Sequence, residues 1–174
     1  PGPTRFAEPH QEFLRTLTAV SGASRKAEEV VEETAAEWER GLASATDAGW
    51  RGLARFTLEE ASANLAGRAV ECAIMHGDFT PWNTRISAGR LFVFDWEAAE
   101  WEAPTCWDRF HFEVQVLSRL RRSGTPPRDS AVERAIRRPE LRSLLALYLL
   151  RSAAGLVRDG VAPSSRSFVA RKKL

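Results

Sequence analysis

The sequence predicts an α+β fold, mainly α-helical, with a small β-hairpin at its middle. Three observations predict it. The outer stretches carry apolar residues at helical spacing, whereas Cys72 to Asp95 shifts to short apolar runs around a glycine turn. A chain of 174 residues, 44% of them hydrophobic, can also bury one real core.

The elements follow in order. Phe13, Leu14, Leu17 and Val20 share a face from His10 to Val20, with Pro9 placed to open the helix. Ser21–Ser24 breaks the pattern. From Arg25 to about Ala45, residues Ala27, Val30, Val31, Thr34, Ala35, Trp38 and Leu42 form an apolar face, and Glu28, Glu29, Glu32, Glu33 and Glu37 line the other. A third helix is expected to open at Thr57, where Thr57 and Glu60 make a capping box, and to close at Gly67. No sheet is expected before Cys72. Cys72–Met75 reads as a short strand. Asn83–Ile86 and Arg90–Asp95 flank Ser87–Ala88–Gly89 as a hairpin. Helix resumes near Asp108, turning Phe110, Val114, Leu117 and Leu120 inward, and ends before the loop Gly124–Pro127. A last helical stretch runs from about Ser130 to Gly160, interrupted at Pro139. Residues 1–161 are thus one domain and 162–174 a tail.

Composition excludes several classes. No apolar stretch approaches the roughly 20 residues of a membrane span, and the N-terminus has no signal-peptide apolar region. Cys72 and Cys106 are too few for a disulfide scaffold, and no cysteine–histidine spacing suggests zinc. A reducing, cytoplasmic setting is therefore expected. The net charge of +2 hides an asymmetry: residues 1–117 carry 11 Lys/Arg against 19 Asp/Glu, and residues 118–174 carry 14 against 4. A basic section can bind nucleic acid. Here no RNA-binding or zinc-finger signature accompanies it, and a solvated helical surface is the better reading.

The chemistry lies in the β insert. His76-Gly77-Asp78-Phe79-Thr80-Pro81-Trp82-Asn83 places an Asp and an Asn with four residues between them. That spacing lets a tight loop present a carboxylate that accepts a hydroxyl proton beside an amide oxygen that holds a metal ion. Asp95 follows twelve residues after Asn83, at the end of the apolar run Leu91–Phe94, where a carboxylate can bind Mg²⁺. Read singly, Asp78 and Asn83 are also ordinary turn formers and Asp95 an ordinary cap. His76 reads as a structural residue that donates to backbone and fixes the loop.

With Phe94-Asp95-Trp96-Glu97 added, the set resembles the aminoglycoside phosphotransferase and choline kinase group, which has a protein-kinase-like fold. The likeness covers roughly residues 72–112 and implies a kinase-like C-terminal, helical lobe. It implies Asp78 as catalytic base, Asn83 and Asp95 as Mg²⁺ ligands, and ATP or GTP as phosphate donor to a hydroxyl of a small acceptor. Asp108 looks like the family's supporting aspartate under the catalytic loop, although it is also placed as a plain helix N-cap.

The family's other half is not found in the sequence. There is no G-x-G-x-x-G or G-x-x-x-x-G-K-[ST], and of the three lysines, Lys26 opens an acidic helix while Lys172 and Lys173 lie in the tail. The chain begins at Pro1, without Met. The expectation is a lobe inactive alone: a piece of a complete kinase, a half completed by an N-lobe-bearing partner or homo-oligomer, or a non-catalytic remnant that binds a ligand or a partner. Trp96, Glu97 and Trp101, with Glu100, Glu102 and Trp107 nearby, combine indole faces with carboxylates and suit a cationic acceptor. Equally, these residues fit a core and a solvated edge.

Overall fold

In a computed structural model, which describes residues 4–41, 48–120, 127–158 and 160, the chain is a mainly helical α+β protein with small antiparallel sheets. The expected inward side chains of Leu42 and Leu120, most of the loop before Pro127, and the tail 162–174 lie outside the described residues. Among these residues no helix is long and apolar enough to cross a membrane. The chain divides into two compact units: residues 1–25 with 70–133, and residues 26–69 with 134–174.

The first unit opens with α1 (Glu8–Ser21). Pro9 sits in its first turn, where a missing N–H costs nothing, and His10 Nδ1 accepts the Ala7 N–H at 3.1 Å. A three-stranded sheet has the order β1 (Ala23–Lys26), β2 (Ala69–Met75), β5 (Glu100–Pro104). Two of these strands escape local reading. β1 is four residues long in a Ser/Gly-rich stretch, so a sheet does begin before Cys72. β5 pairs Cys72 with Pro104 and Ala73 with Ala103, and a bulge then brings Met75 opposite Glu100. Glu102, in the bulge, has φ 56°. Pro104 is tolerated because β5 is an edge strand.

The predicted hairpin is present as β3 (Thr84–Ser87) and β4 (Arg90–Val93). Ser87 pairs with Arg90 across Ala88 and Gly89, whose φ values of 49° and 74° make the two-residue turn that suits strand twist. Leu91 and Val93 pack on a cluster of Leu14, Phe79, Phe112 and Val116, together with Phe6, Phe13 and Leu17. This cluster joins α1, the hairpin and α4 (Trp107–Gln115), which continues as a π-helical turn at Val116–Leu120. Asp108 is therefore the second residue of α4, and the N-cap position belongs to Cys106.

The second unit contains α2 (Ala27–Gly41), α3 (Ala48–Leu65) and α6 (Pro139–Arg158). α5 (Ala131–Arg137) spans the division. Trp38, Trp50, Ala54, Leu150, Ala153 and Ala154 form the unit's core. α3 starts well before Thr57, so the Thr57–Glu60 pair lies inside the helix rather than at its N-terminus. Gly49 and Gly52 weaken the local helix signal, and burial of Trp50 and Ala54 overrides them. Gly67 (φ 67°) does end the helix turn, and its N–H donates to Glu28 at 2.7 Å. Pro139 opens α6 and so separates it from α5.

Candidate active site

The loop between β2 and β3 is pinned from below. Phe79 is fully buried, lies parallel to Phe13 at 5.8 Å, and meets His10 edge-on. Thr80 holds the far end: its carbonyl accepts the Asn83 N–H at 3.2 Å and the Thr84 hydroxyl at 3.0 Å. Gly77 is required by backbone approach. It has φ 83°, and a Cβ there would collide with the Ala98 carbonyl.

Asp108, 3% exposed, receives the N–H of His76 at 2.7 Å and of Gly77 at 3.1 Å. Burial pushes its carboxyl up to about 6; the two backbone donors pull it down, while Asp78 and Glu100 add to the rise. His76 is fully buried. Its Nε2 lies 2.8 Å from the Phe94 carbonyl and its Nδ1 accepts the Asp78 N–H at 3.2 Å, so both partners select the neutral Nε2-protonated ring. Burial lowers its pKa, against the upward pull of the Phe94 bond, Asp78 and Asp95.

These bonds bring the two motifs together. Phe94 is clamped on both sides, its N–H donating to the Asn83 carbonyl at 3.0 Å and its carbonyl accepting from His76. Asp95 follows at once, exposed and left-handed at φ 65°. Asp78, partly exposed, accepts the Asn83 Nδ2–H on Oδ2 at 2.8 Å, and the same amide reaches the Asp78 carbonyl at 3.1 Å. The Asn83 amide nitrogen is thus committed to Asp78, and Oδ1 is its free-handed acceptor. Among the described residues no three His, Cys, Asp or Glu side chains converge as a metal-binding group. The oxygens of Asn83 and Asp95 nonetheless suit Mg²⁺, which takes one or two protein oxygens and keeps several waters.

The aromatic–acidic stretch is divided. Trp96 packs on His76 with ring centroids 4.7 Å apart and lies 6.0 Å from Phe13. Its Nε1 reaches the Val93 carbonyl at 3.4 Å. Glu97 is exposed, and Trp101 is 77% exposed on edge strand β5. Trp107 is core, 1% exposed. No described contact joins Trp96, Glu97 or Trp101 to Asp78. Cys72 is buried, and burial pushes the Cys106 thiol up to about 12, so Cys106 is not a thiolate near neutrality.

One residue escaped the sequence reading. His111 places Nε2 3.0 Å from Asp78 Oδ1, and Gln115 stands 3.2 Å behind it. The signal was available: Asp108-x-x-His111-x-x-x-Gln115 is helical spacing, which sets all three on one face of α4. Compared with protein-family models, curated proteins and solved structures, the chain gives no match.

Proposed function

We propose that the chain is the C-terminal, protein-kinase-like lobe of an ATP-dependent phosphotransferase acting on a hydroxyl of a small acceptor, in the manner of aminoglycoside and choline kinases. The observation that supports this best is the clamp on Phe94, the residue before Asp95, between Asn83, which bonds Asp78, and His76. The Asn83 side of the clamp continues the hairpin ladder, and the His76 side adds a side-chain bond that a hairpin alone does not need.

In this reading Asp78 orients the acceptor hydroxyl and accepts its proton. Asn83 Oδ1 and the Asp95 carboxylate would hold Mg²⁺, with which ATP or GTP supplies the transferable phosphoryl group and charge neutralisation. Asp108 fixes the backbone at His76 and Gly77, and His76 fixes the strand end that carries Asp95. Catalysis is then chiefly positioning, the kind of work a rigid hydrogen-bonded loop does well. Glu97 and Trp101 remain the proposed surface for a cationic acceptor.

A phosphate-covering loop and a strand lysine are not encoded among these 174 residues. They would come from outside the chain, through further sequence, an N-lobe-bearing partner or a second copy. That same absence favours a second reading, a cytoplasmic ligand- or partner-binding lobe without catalysis. Calorimetry with Mg²⁺ and a non-hydrolysable ATP analogue, followed by a transfer assay on the full-length gene product, separates the two. Transfer that falls at least about 100-fold in Asp78→Asn, with nucleotide binding retained, supports the kinase. Absence of binding at millimolar nucleotide, in this chain and again with upstream sequence added, ends it, and binding without transfer favours the second reading.

A further inference from the structure

We infer that His111 is a positioning residue for Asp78, held in place by Gln115; this rests on the phosphotransferase reading above. The starting point is a conflict of donors. A carboxylate oxygen can only accept, so the 3.0 Å contact from His111 Nε2 to Asp78 Oδ1 requires the proton on Nε2. That N–H then faces the Gln115 amide nitrogen at 3.2 Å, another donor, while Gln115 Oε1 is buried with no partner among the described residues. Gln115 itself is 4% exposed.

Turning the Gln115 amide over removes the clash of donors, and its NH2 then takes the buried position of the former oxygen. Its oxygen then shares the His111 N–H with Asp78. The helix makes this arrangement natural, because His111 and Gln115 stand four residues apart on α4 and stack on one face. Asp108 lies one turn earlier on the same helix and holds the loop backbone. One helix therefore holds both the main chain just before the proposed base, at His76 and Gly77, and the carboxylate of Asp78 itself.

The consequence is orientational. Asp78 accepts Asn83 on one oxygen and His111 on the other, so its carboxylate plane cannot rotate. Each oxygen keeps a further lone pair for an incoming hydroxyl, in a direction set by the two donors. A loose phosphoryl-transfer transition state asks for that kind of alignment of the acceptor oxygen.

Two substitutions and one spectrum test the inference on the full-length protein. His111→Phe keeps a ring and removes the donor; His111→Gln keeps an N–H near the Nε2 position. His111→Phe should lower kcat about 10- to 100-fold with the nucleotide KM within about threefold, and His111→Gln should recover most of the loss. Long-range proton–nitrogen spectra of the wild type should show His111 protonated on Nε2, with that signal altered in Asp78→Ala. An unchanged kcat in His111→Phe, or equal losses in both variants tracking a fall in Tm, would overturn the positioning role. An Nδ1-protonated tautomer would overturn the pairing itself. A wild type showing the expected tautomer but no transfer refutes the phosphotransferase reading and with it the catalytic consequence, while the Asp78–His111 bond stands.

Discussion

Asp108 and His76 are 32 residues apart in sequence and joined by a 2.7 Å bond from the His76 N–H to a carboxylate that is almost wholly buried. Burial pushes this carboxyl to about 6, above an ordinary aspartate's 3.8. A raised acid favours the folded state when protonated, so its contribution to stability is full below about pH 4 and is lost as pH rises through about 6. Asp108→Asn cannot titrate. Across pH 4 to 7 the stability difference should therefore shift in the variant's favour, by on the order of 3 kcal/mol. Urea unfolding of both proteins at several pH values measures this. A difference that stays constant with pH means that Asp108 does not titrate as a buried acid.

Gly77→Ala should destabilise the first unit and displace the loop. The φ of 83° penalises any side chain, and the new methyl meets the Ala98 carbonyl, which is backbone and cannot swing aside. Together these cost about 2–4 kcal/mol. Gly67→Ala is the control, since Gly67 has a similar φ of 67° and open space around it, leaving only the backbone term of about 1–2 kcal/mol. If the two variants melt together, the contact with Ala98 contributes nothing.

What was legible in the sequence was what local chemistry determines. The hairpin carried its own turn residues and alternation, and the Asp78–Asn83 and Asp95 spacing announced a loop and a strand end. What escaped depended on partners far along the chain. β1 and β5 exist by pairing with β2, and α3 begins at Ala48 because Trp50 finds Trp38. Trp96 had an indole face to offer a ligand, and nothing in its neighbours announced that His76 would lie against it. His111 stood at helical spacing from Asp108, but that it would meet Asp78, 33 residues away, depended on the fold.

Glu113 offers a test of what a buried carboxylate contributes. It is 7% exposed, pairs with Arg109 at 3.2 Å, and accepts the N–H groups of Ala131 at 3.0 Å and Val132 at 2.9 Å, the opening residues of α5. Glu113→Gln turns one acceptor into a donor facing donors. The expected loss is about 2–4 kcal/mol, read as a lower urea midpoint at unchanged slope. Glu12→Gln, which removes an exposed 3.0 Å pair with Arg15, should change stability by less than about 0.5 kcal/mol. Equal effects would show that burial does not distinguish the two sites.

The hairpin turn can be improved without touching the site. Ala88 sits at φ 49° and Gly89 at 74°, and alanine in the left-handed region is strained by about 1–2 kcal/mol where asparagine is strained less. Ala88→Asn should therefore stabilise the hairpin by about 0.5–1 kcal/mol, slowing amide exchange across the hydrogen-bonded Ser87–Arg90 and Arg85–Phe92 pairs roughly two- to fivefold. Asn83 precedes the first strand and Asp95 follows the second, so a stiffer turn also narrows the motion of one proposed metal ligand relative to the other. In the transfer-competent protein the nucleotide KM measured at low Mg²⁺ should fall, and at saturating Mg²⁺ it should not change. Faster exchange in the variant would mean that the turn is not the left-handed pair that these φ values describe.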